Sequence, residues 1–409
     1  MTRAWIPPAV TLAVRAALAL SLDARPRWDG FFYARYAEAL AHGRGYVETL
    51  HPPDRPTAFY PVGYPAALSA ALRLLGDPQR AVVGLNLAAA LVGCLVVMHL
   101  GTTLADRPTG WRAGMLYALL PGPALWSLAA MTETLTGTLL ALAAALLLRS
   151  HHAQGSRPLR GLPAALGAGV TLGLAGLVRP PSLALLVAPW ALPLAWTRRL
   201  VLAATLCLGA ALAVGPWTAR NCARLDACAL ISTNGGSNLL IGTFPEARGG
   251  YRRPRPDDGC DRVDGEVHRD RCMARVARGR IVRDPWTWLR SGLWKLAITF
   301  GWEHDPVSYL WPWPPRGLPP VGVIGAVMAC TLSWWALVVL ALRGALVARG
   351  SAAVRVIAVA AFGVVATHGV FLGADRYHLV LVALLCPLAT RGMHRRDASA
   401  ELRPPTPGP

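Results

Sequence analysis

The sequence predicts an all-α polytopic membrane protein with about ten transmembrane helices. Hydrophobic residues make up 54% of the 409-residue chain, and mean hydropathy is +0.39. Apolar runs approaching the roughly 20 residues needed to cross a bilayer recur from end to end. Arginines fall between those runs in an alternating way, which is how charge sets membrane topology. The formal charge of +19 could suggest nucleic acid, but the arginines form no basic stripe with interleaved aromatics, which excludes that reading.

In chain order the spans are expected at 5–22, 80–104, 113–129, 132–148, 162–178, 182–196, 200–217, 318–342, 356–373 and 377–390. With the N-terminus inside, the inside loops hold Arg107 and Arg112, then Arg149, Arg157 and Arg160, then Arg198 and Arg199. They continue with Arg343, Arg349 and Arg355, and end with Arg391, Arg395 and Arg396. The short outside loops are poorer, with Arg179 in one and Arg376 in another. This bias supports an even number of spans. The first run reads as an uncleaved span, because Arg15 interrupts it and no clear small-residue cleavage site appears. An arginine in mid-span costs about 2.5–3.5 kcal/mol, so Arg15 is expected to face the bundle.

Two long segments, 23–79 and 218–316, fall outside. The chain thus divides into a membrane module at 1–217 with its first outside loop at 23–79, an outside region at 218–316, C-terminal spans at 317–391, and a tail at 392–409. That tail is polar and proline-rich, and is expected to be a disordered cytoplasmic end. Cys94, Cys207, Cys330 and Cys386 lie in spans as small apolar fillers. Cys222, Cys228, Cys260 and Cys272 all lie in the second outside loop, where two disulfides in any of three pairings are expected. Their spacing is not that of a zinc motif.

Within that loop, 286–300 reads as an interfacial helix. Trp286, Leu289, Leu293, Leu296 and Phe300 recur at helical spacing, with Ser291, Lys295 and Thr299 on another face. Six of the fifteen tryptophans fall between Trp286 and Trp313, which suits interfacial anchoring. Asn234–Gly236 is first of all a turn, with backbone N–H groups that an anion can use. His304 and His378 face the outside region, as does His51, and all three read as structural or solvated.

The first outside loop bears the chemistry. A short amphipathic helix is expected over 30–41, offering Phe31, Tyr33, Ala34, Ala37 and Leu40 to membrane or core. Gly43 and Gly45 end it, and prolines stiffen the remainder. Such loops are commonly functional. Asp29 opens the helix, where it serves as a cap or first-turn acid or as a general base.

The words around Asp29 bear on that choice. A first span carrying Arg15 (TLAVRAAL) is followed by the acid, Tyr33, GRGY at Gly43–Tyr46 and PTAFYPVGYP at Pro56–Pro65. LNLAAALVG at Leu85–Gly93, Thr132–Glu133, GLVRPPS at Gly176–Ser182, PWTARN at Pro216–Asn221, STNGGSNLLIG at Ser232–Gly242 and DRYHL at Asp375–Leu379 follow in order. In this order the chain resembles the GT-C-type glycosyltransferases of the protein-mannosyltransferase and aminoarabinose-transferase superfamily. The resemblance implies a GT-C-like membrane fold in a bacterial inner membrane. It also implies transfer of a sugar from a polyprenyl phosphate to a protein, lipid or polysaccharide acceptor outside the cytoplasm. Many relatives carry two adjacent acids in the first loop, whereas here Gly30 follows Asp29. No cofactor is expected on that ground, because a divalent metal usually takes several carboxylates and this first-loop motif does not supply them.

On this resemblance Asp29 is the general base of an inverting single displacement through an oxocarbenium-like transition state. The leaving phosphate needs cations or fixed donors. Arg220 and Arg376, at outside ends of spans, are the favoured ones, with Arg179 third. Tyr60 and Tyr64 are candidates to donate to the phosphate or stack on the sugar. Glu133, at the outside start of its span, is a candidate to hold the sugar or position the acceptor. Membrane lipid is the remaining partner. The alternatives are a polytopic transporter or lipid flippase, against which the absence of matching broken repeats counts, and an inert envelope scaffold.

Overall fold

The structure, a computed structural model, describes residues 3–22, 24–50, 52–153, 158–253, 258–311 and 319–393. Arg157, His51 and the tail from residue 394 lie outside the described residues.

The N-terminal half runs α1 (Ile6–Ser21), α2 (Asp29–Ala41), a two-stranded hairpin of β1 (Val47–Glu48) and β2 (Arg55–Pro56), α3 (Gly63–Leu75), α4 (Pro78–Leu104), α5 (Arg107–Leu119), α6 (Pro121–Trp126), α7 (Glu133–Ala153), α8 (Leu162–Val178) and α9 (Ala188–Ala191). It continues through α10 (Trp196–Arg224), α11 (Gly235–Ile241), α12 (Glu266–Arg283), α13 (Pro285–Gly301) and α14 (Asp305–Leu310) to α15 (Pro320–Val347), α16 (Ala352–Val370) and α17 (Val382–Met393). Among the described residues every regular element apart from the hairpin is helical, as expected.

Among the described residues five helices are long and apolar enough to cross a membrane: α4, α7, α10, α15 and α16. α1, α8 and the segment Pro180–Ala191 are shorter apolar helices. Five of the ten expected spans thus correspond to full-length helices. Proline accounts for two of the differences. The expected span at 113–129 breaks at Leu120, whose extended backbone (φ −61°, ψ 120°) precedes Pro121. A residue before proline is pushed out of the α region; the short α6 follows, and a non-helical turn runs from Ser127 to Thr132. The expected span at 182–196 is a 3-10 helix over Pro180–Val187 followed by the single turn of α9. Pro180, Pro181, Pro189 and Pro193 keep it from becoming one α-helix. The last expected span, 377–390, begins as a 3-10 helix over Asp375–Leu381 and becomes α17.

α8 and α10 pack together, as do α7 and α8, α15 and α17, and α4 and α5. Small residues allow the close approach: a Cβ on Gly169 would meet the Leu206 carbonyl at 2.3 Å, and one on Gly209 the Leu166 carbonyl at 2.5 Å. Such small-residue contacts are how membrane helices pack. Arg15 is 1% exposed and does face the bundle, donating to the carbonyls of Ala118 and Tyr117 with its guanidinium over the Tyr117 ring.

Between α10 and α13 the disulfides pair Cys222 with Cys228 and Cys260 with Cys272, which selects one of the three pairings. α13 turns Trp286, Leu289 and Leu293 outward and buries Lys295 and Thr299. Its polar face is therefore its protein face, with Lys295 Nζ donating to the Val370 carbonyl of α16 at 3.0 Å. Acids of α12 face inward. Glu266 accepts from Thr57 Oγ1, Ala58 N–H and Thr233 Oγ1, tying this loop to the first.

Candidate active site

The site forms where α2, the starts of α7 and of the 3-10 segment after α8, and the DRYHL turn before α17 meet. Trp28 sits at φ 50°, a left-handed conformation unusual for a bulky residue. Backbone strain of this kind concentrates at functional sites. Asp29 follows it as the first residue of α2.

Asp29 Oδ2 accepts from Arg376 Nη2 at 2.7 Å, and Oδ1 accepts from the Tyr60 hydroxyl at 3.0 Å. Arg376 Nε lies 3.7 Å from Glu133 Oε1, an electrostatic contact rather than a hydrogen bond. Arg179 Nη1 donates to that same oxygen at 2.6 Å, and Trp126 Nε1 donates to Glu133 Oε2 at 2.9 Å. Two acids and two arginines thus alternate in one chain: Asp29, Arg376, Glu133, Arg179. Tyr377 lies between the guanidiniums, 4.7 Å from that of Arg179 and 5.3 Å from that of Arg376. Side-chain exposure falls from 33% at Asp29 to 2% at Glu133, with the arginines at 12% and 16%. Asp29 is the most open of the four.

Burial alone would lower the Arg376 guanidinium, but Tyr377, Asp29 and Glu133 around it hold it well above its ordinary range. Burial, then the Asp29 charge, raise the Tyr60 hydroxyl. Tyr60 therefore remains a neutral O–H donor and Arg376 a permanent cation. Phe32 stacks on the Tyr60 ring, fixing its hydroxyl toward Asp29.

Five of the seven expected site residues come together: Asp29, Tyr60, Glu133, Arg179 and Arg376. Tyr64 does not line this opening, being fully buried beneath Tyr33. Arg220 is not a member of the charge chain either. Its guanidinium donates to the carbonyls of Thr57 at 2.8 Å and Tyr46 at 2.7 Å, and stacks on Trp217. α10 has 29 residues, about 43 Å at 1.5 Å per residue, so its end rises past a bilayer core and braces the first loop. The Asn234–Gly236 turn also finds an anion, but within the chain: Gly236 and Ser237 N–H donate to Asp270 Oδ1.

His378 is fully buried rather than facing outside. Its ring contacts the Thr299 carbonyl at 2.6 Å and Glu303 Oε1 at 2.8 Å, and stacks on Trp334. Trp28, Trp126, Tyr309 and Tyr377 were not foreseen. Only Tyr377 carried a signal, standing beside Arg376 in DRYHL. Tyr309 accepts from Arg27 N–H at 3.0 Å and from Ala130 N–H at 3.3 Å, joining α14 to both sides of the site.

Metal-ligand chemistry is present near the site. His304, Asp305 and Asp375 place one ligand atom each within 4.8 Å of one another. Asp375 Oδ2 accepts from the backbone N–H of His304 at 2.5 Å and of Asp305 at 2.9 Å. Burial, then the Asp305 charge, push Asp375 up to about 8.

No protein-family model matches the sequence, and no curated protein matches it. Solved structures do. The archaeal oligosaccharyltransferase AglB from Archaeoglobus fulgidus, in complex with an inhibitory peptide and a dolichol-phosphate, superposes at TM-score 0.56 and 14% identity. The match covers 96% of this chain and 50% of that one. This chain has the GT-C-type fold. The A. fulgidus oligosaccharyltransferase in complex with Zn and sulfate gives TM-score 0.53 at 14% identity, covering 94% and 48%. ArnT from Cupriavidus metallidurans bound to undecaprenyl phosphate gives 0.46 at 16% identity, covering 95% and 78%. The chain spans about half the length of the oligosaccharyltransferase chains it matches. The GT-C-type fold was the one the sequence resemblance implied.

Proposed function

We propose that the protein is a GT-C-type glycosyltransferase. It moves a sugar from a polyprenyl-phosphate donor to a hydroxyl or amine of a protein, lipid or polysaccharide on the extracytoplasmic face of a bacterial inner membrane, in the manner of the mannosyltransferase-like enzymes. The charge chain from Asp29 to Arg179 carries this reading, because it sets an open carboxylate beside two half-buried guanidiniums.

The roles follow from those positions. As the acceptor attacks the anomeric carbon, its proton passes to Asp29, which Tyr60 and Arg376 hold in place. The bond from that carbon to the phosphate oxygen breaks, and the phosphate leaves with the electron pair. Arg376 and Arg179 stabilise the charge it gains. One displacement inverts the anomeric centre. Glu133 anchors both arginines, and Arg220 holds the first loop over the site. The AglB structure that shares the fold is a complex with dolichol-phosphate and a peptide, which supports a lipid-phosphate donor here.

The test is Asp29→Asn in proteoliposomes, following labelled sugar from a polyprenyl-phosphate donor into an envelope extract. General-base removal should cut transfer by about 10²–10⁴-fold while abundance and thermal unfolding stay near wild type. Transfer at the wild-type rate by a folded Asp29→Asn protein would refute the assignment.

A further inference from the structure

We propose that His304, Asp305 and Asp375 form a divalent-cation site of the Zn²⁺ or Mn²⁺ class, and that the bound ion fixes the backbone from which Arg376 projects. The site lies outside the charge chain and takes no part in the proton transfer assigned to Asp29.

Proximity is the first observation: all three ligand atoms fall within 4.8 Å of one another. Donors bound to one ion at 2.0–2.2 Å cannot lie more than about 4.4 Å apart, so the present spacing closes with small side-chain rotations. The second is independent of proximity. Asp375 is 8% exposed, and its Oδ1 has no hydrogen-bond partner. A buried carboxylate oxygen without a partner is costly and calls for a ligand.

Charge gives the third. Asp305 and Asp375 press against each other, and neither is in an ion pair among the described residues. Arg376, the adjoining cation, is already committed to Asp29 and Glu133. His304 is exposed, so the cluster has an open side.

The donor set narrows the ion. One imidazole nitrogen and two carboxylate oxygens suit Zn²⁺ or Mn²⁺. Ca²⁺ would take six to eight oxygens. Three protein ligands also leave a position for water. The effect on Arg376 is through the chain: Asp375 is its neighbour and already holds the first turn of α14 through Oδ2. An ion bridging Asp375 to Asp305 and His304 locks that turn against α14, and Arg376 with it.

The experiment uses the full chain in lipid nanodiscs, stripped with a chelator and titrated with Zn²⁺ or Mn²⁺ alone by calorimetry, with thermal unfolding as a second readout. One equivalent should bind saturably and raise the unfolding midpoint. His304→Ala and Asp305→Asn should each weaken binding at least about 10-fold, because even outer-shell changes at metal sites cost 10–100-fold. His268→Ala, on α12, should leave it unchanged. Asp375→Asn is the less useful variant, since that side chain also holds α14. The proposal fails if no saturable binding is found, or if both ligand variants bind as wild type. It fails equally if the midpoint ignores the cation and Asp305→Asn raises it, because the two carboxylates would then share a proton. None of these readouts depends on sugar transfer, so they stand or fall apart from the Asp29 assignment.

Discussion

The Glu133–Arg179 pair should show strong energetic coupling, and its size follows from its setting. The two groups meet at 2.6 Å with side-chain exposures of 2% and 16%. At an effective dielectric of about 20, unit charges about 3 Å apart attract by roughly 5–6 kcal/mol. Desolvating both ions consumes several kcal/mol of that. What remains should match a hydrogen bond between charged groups, about 1.5–3 kcal/mol. Glu133→Gln keeps one acceptor oxygen but removes the charge. Arg179→Met keeps the stem and strands Glu133, which is buried. Each single variant should destabilise by about 3 kcal/mol, and the double variant by little more than either. The assay is equilibrium unfolding in mixed micelles of wild type, both singles and the double. A coupling below about 0.5 kcal/mol would be ordinary for exposed pairs, and would refute the claim that Glu133 anchors the arginines. The same cycle between Glu133 and Arg376 should give a smaller value, because that contact is 3.7 Å and not a hydrogen bond.

Two further outcomes are expected. Arg220→Met should lower the unfolding midpoint by freeing the Tyr46 and Thr57 carbonyls, yet leave the donor KM unchanged; a KM raised as by Arg376→Met would instead put Arg220 on the phosphate. Lys295, the sole lysine, is pushed down by burial from 10.5 to about 8, so between those values the unfolded state binds more protons and stability rises with pH. Below pH 8 the cost of the buried cation is fully present. Unfolding midpoints at pH 7 and 9.5 should therefore differ in wild type and converge in Lys295→Met, and equal pH dependence in both proteins would sink this account.

Much of the fold was readable from apolar runs because a bilayer imposes a length on them. α8 coincides with its expected span, since 162–178 holds no charge and proline only at Pro163, in the first helical turn, where the ring is tolerated. Segments 113–129 and 182–196 are not single α-helices, which hydropathy could not show because it counts side chains and ignores the backbone. Prolines 121, 180, 181 and 189 remove donors, and the chain answers with turns and 3-10 helix. Those breaks matter to the site. The turn after α6 brings Ala130 to Tyr309, and the break at Pro180 leaves Arg179 extended (φ −144°, ψ 107°) at the end of α8.

Single residues of the site were legible for a different reason. A charge at the outside end of an apolar run has few uses, so Asp29, Glu133, Arg179 and Arg376 stood out one at a time. Their pairing did not, because Asp29 and Arg376 are 347 positions apart and no local pattern links them. Arg220 stood out on the same ground, yet its guanidinium meets the Thr57 and Tyr46 carbonyls, because position at a span's end says nothing of what the side chain meets. The pairing also bears on the proposed reaction. Two acids and two arginines cancel, so an arriving phosphate must compete for a guanidinium. Glu133 accepts from both Arg179 and Trp126 and is 2% exposed. Asp29 also has two donors, Arg376 and Tyr60, but is 33% exposed. Asp29 is therefore the partner that yields, and on the proposed mechanism donor binding draws Arg376 toward the phosphate. A donor lacking its phosphate should therefore leave the Asp29–Arg376 pair closed even where its sugar still binds.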